Sequence, residues 1–186
     1  MIEALDSIKF NINFIDKYSN SQNKSYSSLK KEVWKLKRSY DGTPSIRPIY
    51  GRIIANYGYR KHPILGRLEF HPGLDIPAGT GTPVRSTAYG RVKAASWAGG
   101  YGLTIVIKHR NKFSTIYAHL SKMLVEPGDV VTKGQVIGLA GSTGLSTGPH
   151  LHYEIRYKNK HINPNPYLNL RIFRFNNIYA KTLANR

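Results

Sequence analysis

Between residues 45 and 165 no helix-length amphipathic pattern appears, and glycine- and proline-containing turns recur instead. Most of the 17 glycines and 10 prolines fall in this stretch. Between them lie short β-branched and apolar runs: Thr104-Ile105-Val106-Ile107, Phe113-Ser114-Thr115-Ile116-Tyr117-Ala118 and Val136-Ile137-Gly138-Leu139-Ala140. Gly99-Gly100 and Pro127-Gly128-Asp129 are turn signals. Short strands at regular spacing, joined by glycine-rich turns, predict an all-β barrel or sandwich.

The flanks read differently. In residues 1–40, Leu5, Ile8, Ile12 and Ile15 repeat at 3-4-3 spacing, one stripe of a helix or a coiled-coil seam. A Ser/Asn-rich stretch, 19–28, is expected to interrupt it before Leu29, Val33 and Leu36 resume the pattern. Asp41-Gly42-Thr43-Pro44 ends the helix. The expected organisation is a short helical leader over 1–40, a β domain over 41–169 and a basic tail over 170–186. In the tail, Ile172, Phe173, Phe175, Ile178, Tyr179 and Leu183 form either the apolar side of a short helix or part of a frayed end.

Without cysteine, disulfides, thiol nucleophiles and Cys-based zinc sites are excluded. The net charge of +18 points to a polyanionic neighbour: nucleic acid, an anionic membrane surface or an anionic cell-wall polymer. The charge is spread along the chain, with only +4 in the last sixteen residues, and this disfavours a dedicated nucleic-acid module. Met1-Ile2-Glu3-Ala4-Leu5-Asp6 has acids where a signal peptide has bases, and no apolar run follows. No stretch is long and apolar enough to span a membrane as a helix.

Chemistry concentrates in two motifs, His71-Pro72-Gly73-Leu74-Asp75 and His150-Leu151-His152, with His119 between them. Pro72 and Gly73 argue against a helix, and on an extended segment positions i and i+4 share a face, as do His150 and His152. Two histidines and one aspartate leave a fourth tetrahedral zinc position open for water, the catalytic arrangement. Histidines not used as ligands can then move protons, since their pKa lies near working pH. A lone histidine is more often a surface or satisfied core residue. His62, His109 and His161, in basic or loop contexts without partners nearby in sequence, are read that way.

Taken together the motifs are more specific. The runs Tyr57-Gly58-Tyr59-Arg60-Lys61-His62-Pro63 and Phe70-His71-Pro72-Gly73-Leu74-Asp75-Ile76 resemble the start of the catalytic domain of the M23 (lysostaphin/LytM-like) zinc metallopeptidases. The same family's pattern is matched by Gly81-Thr82-Pro83-Val84, Gly100-Tyr101-Gly102, Tyr117-Ala118-His119-Leu120, the run from Gly128 to Gln135 and the run from Gly144 to Glu154. The resemblance covers about residues 46–167. It implies an antiparallel β core of barrel-sandwich-hybrid type with a groove open to a peptide, and cleavage of stem or cross-link peptides of bacterial peptidoglycan. It implies Zn2+ held by His71, Asp75 and His152, with His119 and His150 as catalytic histidines that orient water and stabilise the developing oxyanion.

By the same resemblance the expected location is the bacterial cell envelope, periplasm or wall, although no signal peptide is present in the chain. The expected partners are peptidoglycan peptides and an anionic envelope surface, with no specific nucleic acid. Some relatives have lost these ligands and act only as activators of cell-wall amidases, so a non-enzymatic envelope regulator is the alternative. With all five positions filled, the enzyme is favoured. The run from Gly128 to Gln135 also resembles the turn of lipoyl and biotinyl carriers, but it has no evident lysine hairpin.

Overall fold

The computed structural model describes residues 23–61 and 66–168. The expectations for the 1–22 stripe, for His62 and for the tail beyond residue 168 lie outside the described residues. The chain divides into two units, Ser39–Leu170 and the residues outside it. Of the latter, only 23–38 are described, as most of helix α1, Asn23–Asp41. The helix begins inside the Ser/Asn-rich stretch expected to interrupt it. Asn and Ser are poor in helix interiors but favourable at helix starts, so this stretch is continuous with the Lys-rich turns that follow. Val33 and Leu36 do not form a buried stripe: Leu36 is exposed and Val33 only half-buried. No helix among the described residues is long and apolar enough to cross a membrane.

The larger unit is built almost entirely from short strands: β1 Gly58–Lys61, β2 Leu68–His71, β3 Leu74–Pro77, β4 Pro83–Arg85, β5 Gly90–Trp97, β6 Leu103–His109, β7 Phe113–Met123, β8 Val130–Val131, β9 Val136–Ala140, β10 His150–Tyr157 and β11 Lys160–Ile162. Among the described residues every strand pairing is antiparallel. The main sheet runs β11-β10-β7-β6-β5-β8, with β3 also on β10, and β9 bridging β7 and β4. Strands β1 and β2 form a separate hairpin. The architecture is thus the all-β core expected from the turn spacing, and it is mostly antiparallel, as the family resemblance implies.

Strand alternation explains where the core lies. Ile105 and Ile107 of β6, Tyr117 of β7, and Leu151, Tyr153 and Ile155 of β10 point inward with Val92, Val131 and Ile137. The two tyrosines keep their hydroxyls satisfied there: Thr87 Oγ1 lies 2.9 Å from the Tyr153 hydroxyl, and the Thr87 N–H donates to that of Tyr117 at 2.9 Å. His109 closes this network. It ends strand β6 instead of lying in a loop, and it is buried. Its Nδ1–H donates to the Tyr89 carbonyl at 3.0 Å, and Nε2 accepts from Thr115 Oγ1 at 2.7 Å. His150, His152 and Glu154, on the opposite face of β10, belong to the site.

Candidate metal centre

His71 and Asp75 do not share one extended segment, as the i, i+4 reading expected. His71 ends β2, Asp75 lies in β3, and the chain turns at Pro72-Gly73. The turn needs glycine because it presses on β10. A Cβ at Gly73 would stand 2.5 Å from the Tyr153 carbonyl oxygen and 2.9 Å from Cε1 of His152. Asp75 then faces His152 directly across the β3–β10 ladder. Its backbone is fixed on the other side by N–H bonds exchanged with Ile54 and Ala55, each 3.0 Å.

Three donor atoms converge. His71 Nε2 and His152 Nδ1 are 3.1 Å apart, and Asp75 Oδ1 lies 3.1 Å from the first and 2.8 Å from the second. Ligands on a tetrahedral zinc with ~2.0–2.2 Å bonds would be separated by roughly 3.3–3.6 Å, so a small expansion admits the ion. The remaining ring nitrogens are already committed. His71 Nδ1 donates to the Asn56 carbonyl at 2.8 Å, and His152 Nε2 faces Glu154 Oε1 at 3.2 Å. In the neutral tautomers these bonds select, both inward nitrogens carry lone pairs. Two nitrogen lone pairs and a carboxylate oxygen packed this closely favour positive charge between them.

The electrostatics agree. Burial alone would raise the Asp75 carboxyl, but hydrogen bonds and charge from His152 and His71 outweigh it and hold it far below the ordinary carboxylate range. Burial alone would lower His152, but Asp75 and Glu154 outweigh it and push the imidazole up. Arg60 Nη1 sits 3.1 Å from Asp75 Oδ2, which leaves Oδ1 as the free ligand atom. Among the described residues, His71, Asp75 and His152 are the one group of His, Asp or Glu side chains placed to share a metal ion, and all three are buried.

His119 and His150 join them. His150 Nε2 is 3.8 Å from Asp75 Oδ1, and the His119 ring centroid lies 4.7 Å from that of His150 and 5.9 Å from that of His152. Each points Nδ1 away from the centre: His119 donates to the Thr143 carbonyl at 2.7 Å, and His150 to that of Gly148 at 2.7 Å. Their Nε2 atoms are therefore the acceptors. Burial lowers His119 to about 4, with His150 also acting against a second charge, so the ring is neutral near pH 7. His119 has φ +57°, rare for a residue in a strand, and the ladder of β7 is irregular just beyond it. The loop that anchors it is locked by Gly144, at φ +74°, where a Cβ would stand 2.4 Å from the Gly102 nitrogen and 2.5 Å from the Gly100 oxygen.

Sequence reading gave no role to the residues behind His152. Glu154, fully buried two positions along β10, accepts from the Tyr101 hydroxyl at 2.6 Å and from Arg156 Nη2 at 3.2 Å. His161 Nδ1 lies 3.3 Å from its Oε2, an ion-pair distance without hydrogen-bond alignment. His161 reaches it because β11 pairs Arg156 with His161. The spacing His152-x-Glu154 on a strand was the available signal, since it puts both on one face. The carrier reading finds no support at Lys133. Its Nζ bonds the Tyr40 carbonyl at 2.5 Å and Ser45 Oγ at 2.8 Å, and lies over the Tyr40 ring.

Comparison with known proteins places this geometry. Residues 69–164 match the profile of Peptidase family M23. The chain is 48% identical over 116 residues to the DD-carboxypeptidase/endopeptidase Mpg of Neisseria meningitidis, a match covering 62% of this chain and 27% of that protein. It is 40% identical over 129 residues to the peptidoglycan DD-endopeptidase ShyB of Vibrio cholerae, covering 67% and 29%. A crystal structure of a zinc containing peptidase from Vibrio cholerae superposes with a TM-score of 0.59 at 38% identity, over 67% of this chain and 38% of that one. The chain thus spans less than a third of the length of either curated relative.

Proposed function

The chain belongs to peptidase family M23, and on that premise we propose that it is a zinc-dependent endopeptidase hydrolysing peptide bonds in the stem or cross-link peptides of peptidoglycan. The observation that carries the reading is the convergence of His71, Asp75 and His152, with two further histidines directing bare Nε2 atoms to the same side. A regulator that had lost catalysis would not need all five. The relatives named as DD-endopeptidases support peptidoglycan as the substrate class.

In this reading His71 Nε2, His152 Nδ1 and Asp75 Oδ1 hold the zinc. Bound there, zinc supplies Lewis acidity, lowering the pKa of water toward roughly 7 and polarising a carbonyl oxygen. Hydrolysis adds the water oxygen to the carbonyl carbon and moves a water proton to the departing amine. His119 and His150 are placed to do the proton work. Neutral His119 accepts at Nε2 while its Nδ1–H stays on Thr143, and the imidazolium so formed is a donor to the amine or the developing oxyanion. His150 is held in the same tautomer by Gly148. Arg60 keeps the second Asp75 oxygen occupied, so the carboxylate does not swing between donors.

The enzyme is assigned to the cell envelope, against an anionic surface rather than nucleic acid. Arg91 pairs with Lys108 across β5–β6, Lys108 with Ser114 across β6–β7, and Ser114 with Arg156 across β7–β10. This row, three cations and one serine, shares a sheet face with His152, four residues back along β10. Arg91 and Lys108 are exposed, and like charges directly opposite one another are unfavourable unless an anion lies over them. Free carboxylates of peptide stems fit that description. The deciding experiment is incubation of zinc-loaded protein with purified sacculi and identification of the released peptides by mass. Release of cross-link fragments that stops with a chelator is the expected result, and intact sacculi would overturn the reading.

A further inference from the structure

We propose that Glu154 is a positioning residue of the metal centre: it fixes the tautomer of His152 and thereby sets how tightly the site holds zinc, with Tyr101 and Arg156 holding Glu154 in turn. The inference rests on the metal reading above.

The argument starts from burial. A carboxylate with no exposed surface is costly to desolvate unless it is paired and hydrogen-bonded. Glu154 is both. Arg156 Nη2 reaches Oε2 at 3.2 Å, and the Tyr101 phenol donates to Oε1 at 2.6 Å. These donors make both carboxylate oxygens acceptors. His152 Nε2, 3.2 Å from Oε1, must therefore be the N–H of that contact. The neutral ring then has its lone pair on Nδ1, the atom that faces His71 Nε2 and Asp75 Oδ1. Were the proton on Nδ1 instead, it would occupy the space the ion needs.

Geometry also makes the arrangement stiff. His152 and Glu154 are on one strand and one face, so their separation is set by the β10 backbone. Tyr101 comes from a different place, the 3-10 turn Gly99–Tyr101 between β5 and β6, and its ring meets that of His152 edge-on at 5.4 Å. The phenol thus braces the carboxylate and the imidazole together. A buried acid serving only to balance Arg156 would not need to face a ligand nitrogen.

The test uses the full chain, stripped of metal and titrated with zinc in competition with a chromophoric chelator. Glu154→Gln keeps size and shape but replaces a charged acceptor with a neutral amide. Zinc affinity is expected to fall 10–100-fold. In metal-free protein, held at a pH high enough that the His152 ring is neutral, imidazole 15N–1H spectra are expected to show its proton on Nε2 in wild type and distributed between both nitrogens in the variant. Unfolding in chelator should stay cooperative. A folded Glu154→Gln that binds zinc within threefold of wild type, with the Nε2–H signal unchanged, overturns the proposal. If that variant does not fold, Tyr101→Phe decides. Several-fold weaker zinc binding supports the proposal, and unchanged affinity overturns it. Wild-type protein that takes up no zinc overturns the metal reading itself, a result distinguishable from failure of the Glu154 role alone.

Discussion

Asp75 is the single anion among the proposed ligands, so its loss should differ in kind from loss of His119 or His150. Asp75→Ala leaves two neutral imidazoles to hold a dication and strands the Arg60 guanidinium. Zinc stoichiometry, measured by metal analysis after dialysis, is expected to fall from near one per chain to near zero. His119→Ala and His150→Ala should keep zinc and lose ~10²–10⁴-fold in cleavage rate, the usual contribution of a general acid or base. Either variant working at wild-type rate on sacculi would remove its histidine from the mechanism.

His109 gives a third residue-scale prediction. Burial depresses it to about 4, against 6.5 unfolded. Between those pH values the unfolded chain binds a proton that the folded chain refuses. Its contribution is therefore full above pH 6.5 and is lost as pH falls toward 4, by on the order of 3 kcal/mol in all. Urea unfolding of wild type and His109→Gln at several pH values should show the difference between them shrinking across that window. A pH-independent difference would count against the assignment.

What the sequence made legible at this scale is the set of residues with metal-ligating or proton-moving chemistry at fixed short spacings. His109 and His161 were passed over because their partners, Thr115 and Glu154, are reached through strand pairing and not through neighbouring residues. Tyr101 was visible only as part of a Gly-Tyr-Gly motif, because nothing local announces that its hydroxyl reaches Glu154 of β10 from the turn between β5 and β6.

At the level of elements, the site depends on turns as much as on strands. The loop carrying Thr143 and Gly144 and the turn carrying Gly100 and Gly102 interlock with almost no clearance: the Leu145 N–H donates to the Gly100 carbonyl at 2.8 Å, and Leu103 N–H to Thr143 Oγ1 at 3.0 Å. Gly144→Ala combines a left-handed backbone with contact against backbone atoms that cannot rotate away. A loss of roughly 2 kcal/mol or more in chemical unfolding is expected, together with slower catalysis as the Thr143 carbonyl moves off His119. A fully stable, fully active variant would show that the interlock is dispensable. Turn residues and β-branched runs predicted strands and turns well, because both signals are local. The geometry of His71 and Asp75 was misread as one extended segment, because the tightness of the Gly73 turn is set by β10, which is remote in sequence.

For the whole molecule, charge is the governing quantity. With a net charge of +18, attraction to an anionic wall should be strong at low salt and screened over ~8–10 Å near physiological strength. Retention on sacculi is expected to weaken steadily as salt rises. Arg91→Ser with Lys108→Ser should weaken it further at fixed salt while leaving hydrolysis of a short uncharged peptide unchanged, since neither side chain contacts the metal centre. Equal retention by the double variant, or a preference for duplex DNA over sacculi at matched salt, would refute the assigned surface.

The pairing of β10 with β3 has a bearing on synthesis. Asp75 and His152 are 77 positions apart, yet they share one rung of the ladder. A ribosome delivers His71 and Asp75 early, His119 next, and the third donor only when β10 emerges. Until then the nascent chain offers a metal two ligands, one at the end of β2 and one on a β3 that still lacks its β10 partner, too few for a stable chelate. With the proposed ligand set, ion capture would therefore come late, when the last long strand of the sheet docks between β3 and β7. A chain ending before residue 150 is expected to bind no zinc and to release nothing from sacculi, measured by metal analysis and by mass of the soluble peptides.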